Sequence, residues 1–166
     1  MRMVPVNPAG YRICAATKRF DHWAELNSLI QGAFAYMDGM IEPPSSAKSL
    51  DLESLKEKAK SETLLLAYFQ DSLAGCCFLR IECKFVYIGK MAVSHAHQRK
   101  GLGARFIELS EDIARANGCK ILQLETRIEL KDNHRVFEKL GFVKTGETAH
   151  EGFKRPTSIT MEKHVC

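Results

Sequence analysis

The chain has 166 residues, of which 45% are hydrophobic and 27% charged, and it is long enough to bury a core as one globular domain. Its net charge of +4 is modest and its basic residues alternate with acidic ones, so no nucleic-acid partner is expected. The sequence shows neither a signal peptide nor a run of about eighteen apolar residues, which argues against a membrane partner. We therefore expect a single cytoplasmic domain over residues 1–166.

Cysteine usage also favours a reducing compartment. The six cysteines show no C-x-x-C spacing, and we interpret them as reduced. Five of them occupy four internal sites, because two are adjacent, and these five are predicted to be small core residues. They are Cys14, Cys76 with Cys77, Cys83 and Cys119.

The first half of the chain predicts two helices and an antiparallel meander. The first helix begins near Asp21, whose carboxylate is placed to cap it, and a tight Asp71-Ser72 turn joins two strands. A segment with Gly39 and two prolines, over 36–49, interrupts regular structure. The predicted elements are a strand over 11–17, a helix from about 21, a short helix over 52–60, and strands over 63–70, 73–83 and 85–93.

The second half predicts a parallel strand pair. The remaining elements are a helix over 101–117, a strand over 120–126, a helix over 132–140, and strands over 142–148 and 157–163. Because a helix connects the strands over 85–93 and 120–126, these strands should pair in parallel. The fold class is α/β or α+β, with a mixed sheet. The final strand is expected to be exposed, so it could pair with a second copy to form a homodimer.

A short basic turn, Gln98-Arg99-Lys100-Gly101-Leu102-Gly103-Ala104, precedes the third helix. The first turn of a helix has unpartnered backbone N–H groups and about half a positive charge, so it attracts anions. The two glycines let the backbone approach a bulky diphosphate, while Arg99 and Lys100 add charge. The turn lacks the third small residue of a dinucleotide fingerprint and the Gly-Lys-Ser/Thr of a nucleoside triphosphatase. It therefore predicts a pyrophosphate site.

The carboxyl ends of the parallel strands predict where the rest of such a ligand lies. In open sheets, ligands bind outside these ends, which here carry Met91 to Val93 and Glu125 with Thr126. A glycine within a strand often marks a bulge or a close backbone approach, so Gly89 is expected to help open the gap between the strands.

Three stretches of the sequence resemble the GNAT superfamily of acyl-CoA-dependent N-acyltransferases. They are Val86-Tyr87-Ile88-Gly89-Lys90-Met91-Ala92-Val93, Gln98-x-x-Gly101-x-Gly103, and Asn133 with Phe137-Glu138-Lys139-Leu140-Gly141-Phe142. The order of elements extends the resemblance over nearly the whole chain. It implies a mostly antiparallel mixed sheet, with helices on both faces and acetyl-CoA wedged between two splayed central parallel strands.

The resemblance also implies roles for residues. Backbone groups of Met91, Ala92 and Val93 would bind the pantetheine arm, and the amides from Gln98 or Arg99 through Lys100, Gly101, Leu102 and Gly103 to Ala104 would bind the pyrophosphate. Asn133 and Phe137 would lie along the pantetheine or near the thiol. Family members often carry a tyrosine at the position of Phe137, and that tyrosine is commonly proposed to protonate the leaving thiolate. Phenylalanine cannot donate this proton.

The implied activity is acetyl transfer from acetyl-CoA to a primary amine of a small molecule or peptide, by direct attack of the amine on the thioester. An amine of pKa about 10.4 must lose a proton first, which costs about 4 kcal/mol at pH 7.4 unless the site assists. Glu125 is the predicted base because it stands at the end of the second parallel strand. Glu82 and Tyr87 are weaker candidates. Alternatively, Glu125 pairs with Lys120 or Arg127.

Several other features have competing interpretations. His95 and His97 have a metal-ligand spacing without an evident third ligand, so no metal site is predicted. His150 is a candidate substrate contact, and the 36–49 segment either connects two elements or forms part of the acceptor pocket. The competing function is a regulatory module that binds acyl-CoA without turnover, which Phe137 favours.

Overall fold

The structure is a computed structural model that describes residues 10–166. The expected absence of a signal peptide concerns residues outside this range. The strands are β1 (Tyr11–Ala15), β2 (Thr63–Phe69), β3 (Ser72–Ile81), β4 (Phe85–Val93), β5 (Ile121–Arg127), β6 (Val143–Thr148) and β7 (Ser158–His164). The α-helices in the described range are α1 (Trp23–Phe34), α2 (Leu52–Ser61), α3 (Leu102–Ala116) and α4 (Lys131–Lys139). Short 3-10 helices cover Ala35–Met37, Ser46–Ser49 and His95–His97.

The seven strands form one mixed sheet in the order β1-β2-β3-β4-β5-β7-β6. All neighbouring pairs are antiparallel except β4 and β5. That parallel pairing runs only from Phe85 opposite Ile121 to Tyr87 opposite Gln123. Both strands continue beyond this point without pairing with each other, so they separate toward their carboxyl ends. The predicted fold class, with its splayed central parallel pair, is confirmed.

Helices cover both faces of the sheet and create two hydrophobic cores. One core contains buried residues of α3, and partly buried residues of α4 pack against it. The other core contains buried residues of α1 and α2. Fully buried helical side chains include Leu102, Phe106 and Ile107 of α3, Leu26 and Ile30 of α1, and Leu55 of α2.

A β-bulge lies in β4 just after Gly89. Between the pairs Phe78–Gly89 and Cys76–Ala92, β4 has one residue more than β3. Lys90 is in this interval and has a left-handed backbone, with φ of 47°. Gly89 does not have a positive φ, so the predicted bulge is real but its unusual backbone belongs to the following residue.

The bulge changes the direction in which β4 presents its side chains. Ile88 belongs to the core beneath α3, whereas Ala92 belongs to the core beneath α1 and α2. Strict alternation would place both on one face, since residues an even number apart point the same way. Lys90, between them, meets Ser46 on the side of α2. The extra residue therefore brings a lysine to the open end of the parallel pair.

Three local predictions are wrong. Asp21 does not cap α1, because the helix begins at Trp23 with His22 as its N-cap and the Asp21 carboxylate lies 3.4 Å from the His22 ring instead. The turn between β2 and β3 is Gln70-Asp71 rather than Asp71-Ser72, because Gln70 takes the left-handed conformation. Cys83 is exposed in the β3–β4 turn and is not a core residue.

The last strand is not at the edge of the sheet. β7 lies between β5 and β6, and the edge strands are β1 and β6. The prediction of an exposed final strand is therefore wrong. It failed because the chain returns from β6 into the interior of the sheet, which order along the sequence does not reveal.

The 36–49 segment has short helical turns at its two ends and an irregular middle. Its Ser45 side chain accepts a hydrogen bond from the Ala47 amide, which begins the second turn. Arg127 of β5 ties the irregular part down by donating to the carbonyl oxygens of Pro43 and Pro44, at 2.8 and 3.0 Å. The segment thus lies over the carboxyl end of β5. Among residues 10–166, no helix has the length and apolar character needed to cross a bilayer.

Candidate active site

The separation of β4 and β5 opens a cavity of about 300 Å³ at the carboxyl ends of the two strands. β4 contributes the wall from Tyr87 to Met91, and β5 contributes the wall from Leu124 to Arg127. The remaining wall residues come from the neighbouring segments and include Met37, Ile41, Ser45 and Ser46, Lys58, Asn133 and Phe137, His150 and Ser158. The 36–49 segment therefore forms part of the cavity wall.

A second cavity, of about 180 Å³, adjoins the same strand. It is lined by Met91, Ala92 and Val93 together with Gln98, Asn133 and Phe137. Met91, Asn133 and Phe137 border both cavities, so the two are neighbours along one groove. The structure thus brings six of the predicted cofactor-binding residues together.

The basic turn leads from this groove to the start of α3. Gly101 is the N-cap, with φ of 85°, and no side chain caps the helix. The Gln98 side chain donates to the Val93 carbonyl oxygen at 3.2 Å, which ties the turn to the end of β4. Arg99 and Lys100 are exposed, whereas Leu102 is buried in the core. Gly103 and Ala104 lie in the first helical turn, and a Cβ at Gly103 would meet no described atom within 4 Å.

Other contacts hold this turn and the groove in place. His97 Nδ1 lies 2.7 Å from the Tyr11 hydroxyl of β1, and His95 Nε2 lies 3.1 Å from the Gly32 carbonyl oxygen of α1. The two rings therefore bond to different elements. Across the groove, the Asn133 amide donates to the Tyr36 hydroxyl at 3.3 Å.

Phe137 lies in the last turn of α4. It meets the Phe142 ring edge to face, with 5.8 Å between the ring centroids. Phe137 is half-buried and its remaining surface faces both cavities.

Glu125 lies in the cavity wall with its side chain exposed. It forms no ion pair with any other described residue, and Arg127, one of its two predicted partners, bonds to the Pro43 and Pro44 carbonyls. Tyr87 of β4 is close: burial, and next the charge of Glu125, raise the pKa of this phenol. Tyr87 therefore stays protonated at neutral pH, which makes it a poor base. Glu82, the other weaker candidate, pairs with Arg80 at 2.6 Å and is not among the cavity residues.

The cavity wall also contains two residues, Lys90 and Thr126, to which the sequence analysis assigned no role. Lys90 has no distinguishing pattern in the strand sequence, and the bulge in β4 brings it to the cavity. Burial, and then the charges of Lys58 and Arg127, lower the pKa of Lys90 to about 8. Thr126 was predicted only by its strand-end position, yet its hydroxyl is buried without a hydrogen-bond partner among the described residues.

His150 contributes a ring to the same wall. Its Nδ1 is hydrogen-bonded to the Thr157 hydroxyl, which also accepts from the His150 amide at 2.9 Å. Burial, and then the charge of Arg127, lower the pKa of His150. The ring is therefore held in a fixed orientation at the cavity and favours its neutral form at pH 7.

A mixed sheet whose parallel strands separate beside a glycine-containing helix start is the architecture of an acyl-CoA-dependent acyltransferase. Residues 23–142 match the Acetyltransferase (GNAT) family, so the chain belongs to that family. It is an N-acetyltransferase that uses acetyl-CoA as its cosubstrate.

Individual relatives agree with this assignment. The chain is 31% identical over 128 residues to an IAA acetyltransferase of Azospirillum brasilense, covering 75% of this chain and 81% of that protein. An acetyltransferase from Streptococcus agalactiae has the same fold, with a TM-score of 0.72, 20% identity, and coverage of 93% of this chain and 98% of that one. A GNAT family acetyltransferase from Elizabethkingia anophelis with acetyl-CoA bound gives a TM-score of 0.68 at 18% identity, with coverage of 93% and 98%.

Proposed function

We propose that residues 1–166 act as one cytoplasmic domain that acetylates a primary amine of a small molecule or peptide by direct attack on the acetyl-CoA thioester in the β4–β5 cleft. The observation that carries this proposal is the groove of two neighbouring cavities, which runs from Gln98, in the turn that precedes α3, to the cavity containing Glu125. One end of the groove suits a pyrophosphate, and the other end offers a carboxylate to an amine.

The cosubstrate would lie along this groove. The backbone amides from Gln98 to Ala104 would bind the pyrophosphate, because the first turn of α3 has unpartnered N–H groups and the positive end of a helix dipole. Backbone groups of Met91, Ala92 and Val93 would hydrogen-bond the pantetheine, since β4 has no strand partner on that side beyond Tyr87. Asn133 and Phe137 would line the opposite wall.

Glu125 would accept the proton of the incoming ammonium, directly or through water. Holding an amine neutral at pH 7.4 costs about 4 kcal/mol. A carboxylate at the attack site provides an acceptor for the proton that the amine loses as it attacks. The absence of an ion pair with another described residue leaves Glu125 available for the role. Its place at the separated end of β5 puts it in the cavity where the thioester would end.

The thiolate would leave without a proton from Phe137. A thiol has a pKa near 8.5, so its anion is an acceptable leaving group at neutral to mildly alkaline pH. Tyr87 keeps its proton and lines the same cavity, so it or solvent can supply the donor.

The acceptor is expected to enter beneath the 36–49 segment. Ile41, Ser45 and Ser46 of this segment line the cavity that contains Glu125, whereas Tyr36 and Met37 line the neighbouring cavity assigned to the pantetheine. Replacing Ile41, Ser45 or Ser46 should change acceptor preference and leave acetyl-CoA affinity intact.

Release of free CoA thiol across a panel of amine classes is the decisive test. We expect release that depends on the amine and falls about 10²-fold in Glu125→Gln, with an altered pH profile. Lys60→Met, which changes an exposed charge on α2 outside the groove, is the control and should behave as wild type. Saturable acetyl-CoA binding without amine-dependent thiol release would instead favour the regulatory module. An unchanged pH profile in Glu125→Gln would remove Glu125 from the mechanism.

A further inference from the structure

The cavity in the β4–β5 cleft carries more positive than negative charge. Lys58, Lys90 and Arg127 line it together with a single carboxylate, that of Glu125, among the described residues. Lys58 is neutralised by Glu62, whose carboxylate lies 2.8 Å from its ammonium group. The charges of Lys90 and Arg127 are not neutralised in this way.

Lys90 and Arg127 bond to neutral groups. The Lys90 ammonium donates to the Ser46 hydroxyl, and the Arg127 guanidinium donates to the carbonyl oxygens of Pro43 and Pro44. A guanidinium has five N–H donors, so Arg127 retains donors beyond these two bonds. Both side chains are half-buried, so each has lost part of its hydration, and an anion within reach would compensate for that loss. The charge of Glu129 acts on Arg127, but Glu129 is not among the cavity residues. Two cations with neutral hydrogen-bond partners at one cavity therefore point to an anionic ligand.

Lys90 and Arg127 reach the same part of the cavity. Lys90 bonds to Ser46 and Arg127 bonds to Pro43 and Pro44, so both side chains lie beneath the 36–49 segment. Thr126 does not share this position, because neighbouring residues of a strand point to opposite faces of the sheet.

We propose that the acceptor is a small amine that also carries a carboxylate, an amino-acid-type molecule whose anionic group binds between Lys90 and Arg127. This inference rests on the proposed function, because it names the acceptor of that same site. It divides the cavity into two ends: the carboxylate of the acceptor meets the cations, and its amine is left to Glu125.

The size and polarity of the site agree with this ligand. A cavity of about 300 Å³ is at the lower end of the range for ligand pockets, which suits a compact acceptor. Bound carboxylate would also favour the charged form of Lys90, which burial and the charges of Lys58 and Arg127 disfavour, while Glu62 favours it. Binding and protonation of Lys90 would therefore support each other.

The first experiment measures thiol release with matched acceptors. For alanine, methionine and phenylalanine, the amino acid is compared with its carboxamide and with the corresponding amine that lacks the carboxyl group. We expect kcat/KM at least 10-fold higher for the amino acids. Lys90→Met should lower the ratio of kcat/KM for the amino acid to kcat/KM for its carboxamide at least 5-fold, whereas Lys60→Met should leave this ratio unchanged.

The second experiment needs neither turnover nor a variant. The wild-type protein is reductively methylated at limiting reagent, and modification of Lys90 is quantified by mass spectrometry with acetate, propionate or propionamide present. We expect the carboxylates to slow modification of Lys90 at least 3-fold and propionamide to leave it unchanged. Lys60 provides the internal control, since it is exposed and lies outside the cavity.

The outcomes separate this inference from the proposed function. Amine-dependent thiol release without a preference for carboxylates, or equal effects of propionate and propionamide on Lys90, would overturn the inference and leave the proposed function standing. Thiol release from no amine would overturn the proposed function, and the modification of Lys90 would still decide whether the anion site exists. Acetylation of Lys90 by acetyl-CoA alone would also overturn the inference, because Lys90 would then be an acceptor.

Discussion

Three glycines around α3 allow the pyrophosphate site to be tested without confusing binding with stability. Gly101 and Gly118 stand at opposite ends of the helix with φ of 85° and 71°, and Gly103 lies in its first turn without a positive φ. An alanine Cβ at any of the three would meet no described atom within 4 Å. Each Gly→Ala change therefore acts through backbone conformation or through a bound ligand, and not through a clash within the protein.

The expected stability changes differ in sign. A left-handed backbone costs a residue with a Cβ about 1–2 kcal/mol, and 1 kcal/mol corresponds to about 2–4 °C in Tm for a domain of this size. Gly101→Ala and Gly118→Ala should thus each lower the Tm of the free protein by about 2–8 °C. Gly103→Ala should leave it unchanged or raise it by up to about 4 °C, because alanine favours the helix by up to about 1 kcal/mol.

The expected changes in CoA binding follow a different order. Losing one hydrogen bond to a charged group costs about 1.5–3 kcal/mol, which is 10-fold or more in affinity. A methyl group at Gly103 would hold the diphosphate away from the helix start, so Gly103→Ala should weaken CoA binding at least 10-fold. Gly101→Ala should weaken it too, whereas Gly118→Ala should not.

Thermal unfolding without ligand and calorimetric titration with CoA give the two sets of values. The reasoning predicts that Gly103→Ala is at least as stable as wild type and yet binds CoA poorly, while Gly118→Ala is less stable and binds normally. Wild-type CoA affinity in Gly103→Ala would refute the assignment of the pyrophosphate to the first turn of α3. An equal loss of affinity in Gly118→Ala would show that helix strain alone explains the effect.

Three further predictions concern chemistry, pH and packing. Glu125→Gln should lower kcat about 10²-fold in the thiol-release assay and change its pH profile, and a kcat within 3-fold of wild type would contradict its role as a base. With amino-acid acceptors, KM should rise as the pH rises through about 8, because Lys90 then loses the proton that attracts the carboxylate. Lys90→Arg should flatten this rise over pH 7–9, and a persistent rise would assign it to another group. Phe142→Ala should lower the free energy of unfolding in urea by about 3–5 kcal/mol, because the ring is 1% exposed, and a loss below 1 kcal/mol would contradict its assignment to the core.

Much of the fold was predictable because its elements follow local rules. The meander was readable from strand residues separated by turns, and the parallel pair followed from a strand, a helix and a strand in succession. Predicted boundaries were wrong where one residue adopts an uncommon backbone conformation, as Gln70 does in the β2–β3 turn. The predicted position of β7 was wrong for another reason, because the pairing of strands that are distant in sequence depends on the whole assembly.

The candidate site also contains parts that were predictable from the sequence and parts that were not. The turn before α3 and the wall formed by β4 were predictable because they depend on residues adjacent in sequence. The approach of Lys90 to Ser46 was not, because it needs both the bulge in β4 and a segment 44 residues earlier in the chain. Nor does the sequence reveal that Arg127 bonds to proline carbonyls instead of Glu125. Such contacts arise only when separate elements meet.

The bonds from Arg127 to the 36–49 segment have a consequence for how new specificities arise. Both bonds end on backbone carbonyl oxygens, which every amino acid possesses. Side chains of the segment that face only the cavity of Glu125, such as Ile41, can therefore be exchanged without removing the attachment. The acceptor range of this enzyme can diversify by substitution in one exposed stretch, while the groove for the cosubstrate is inherited unchanged.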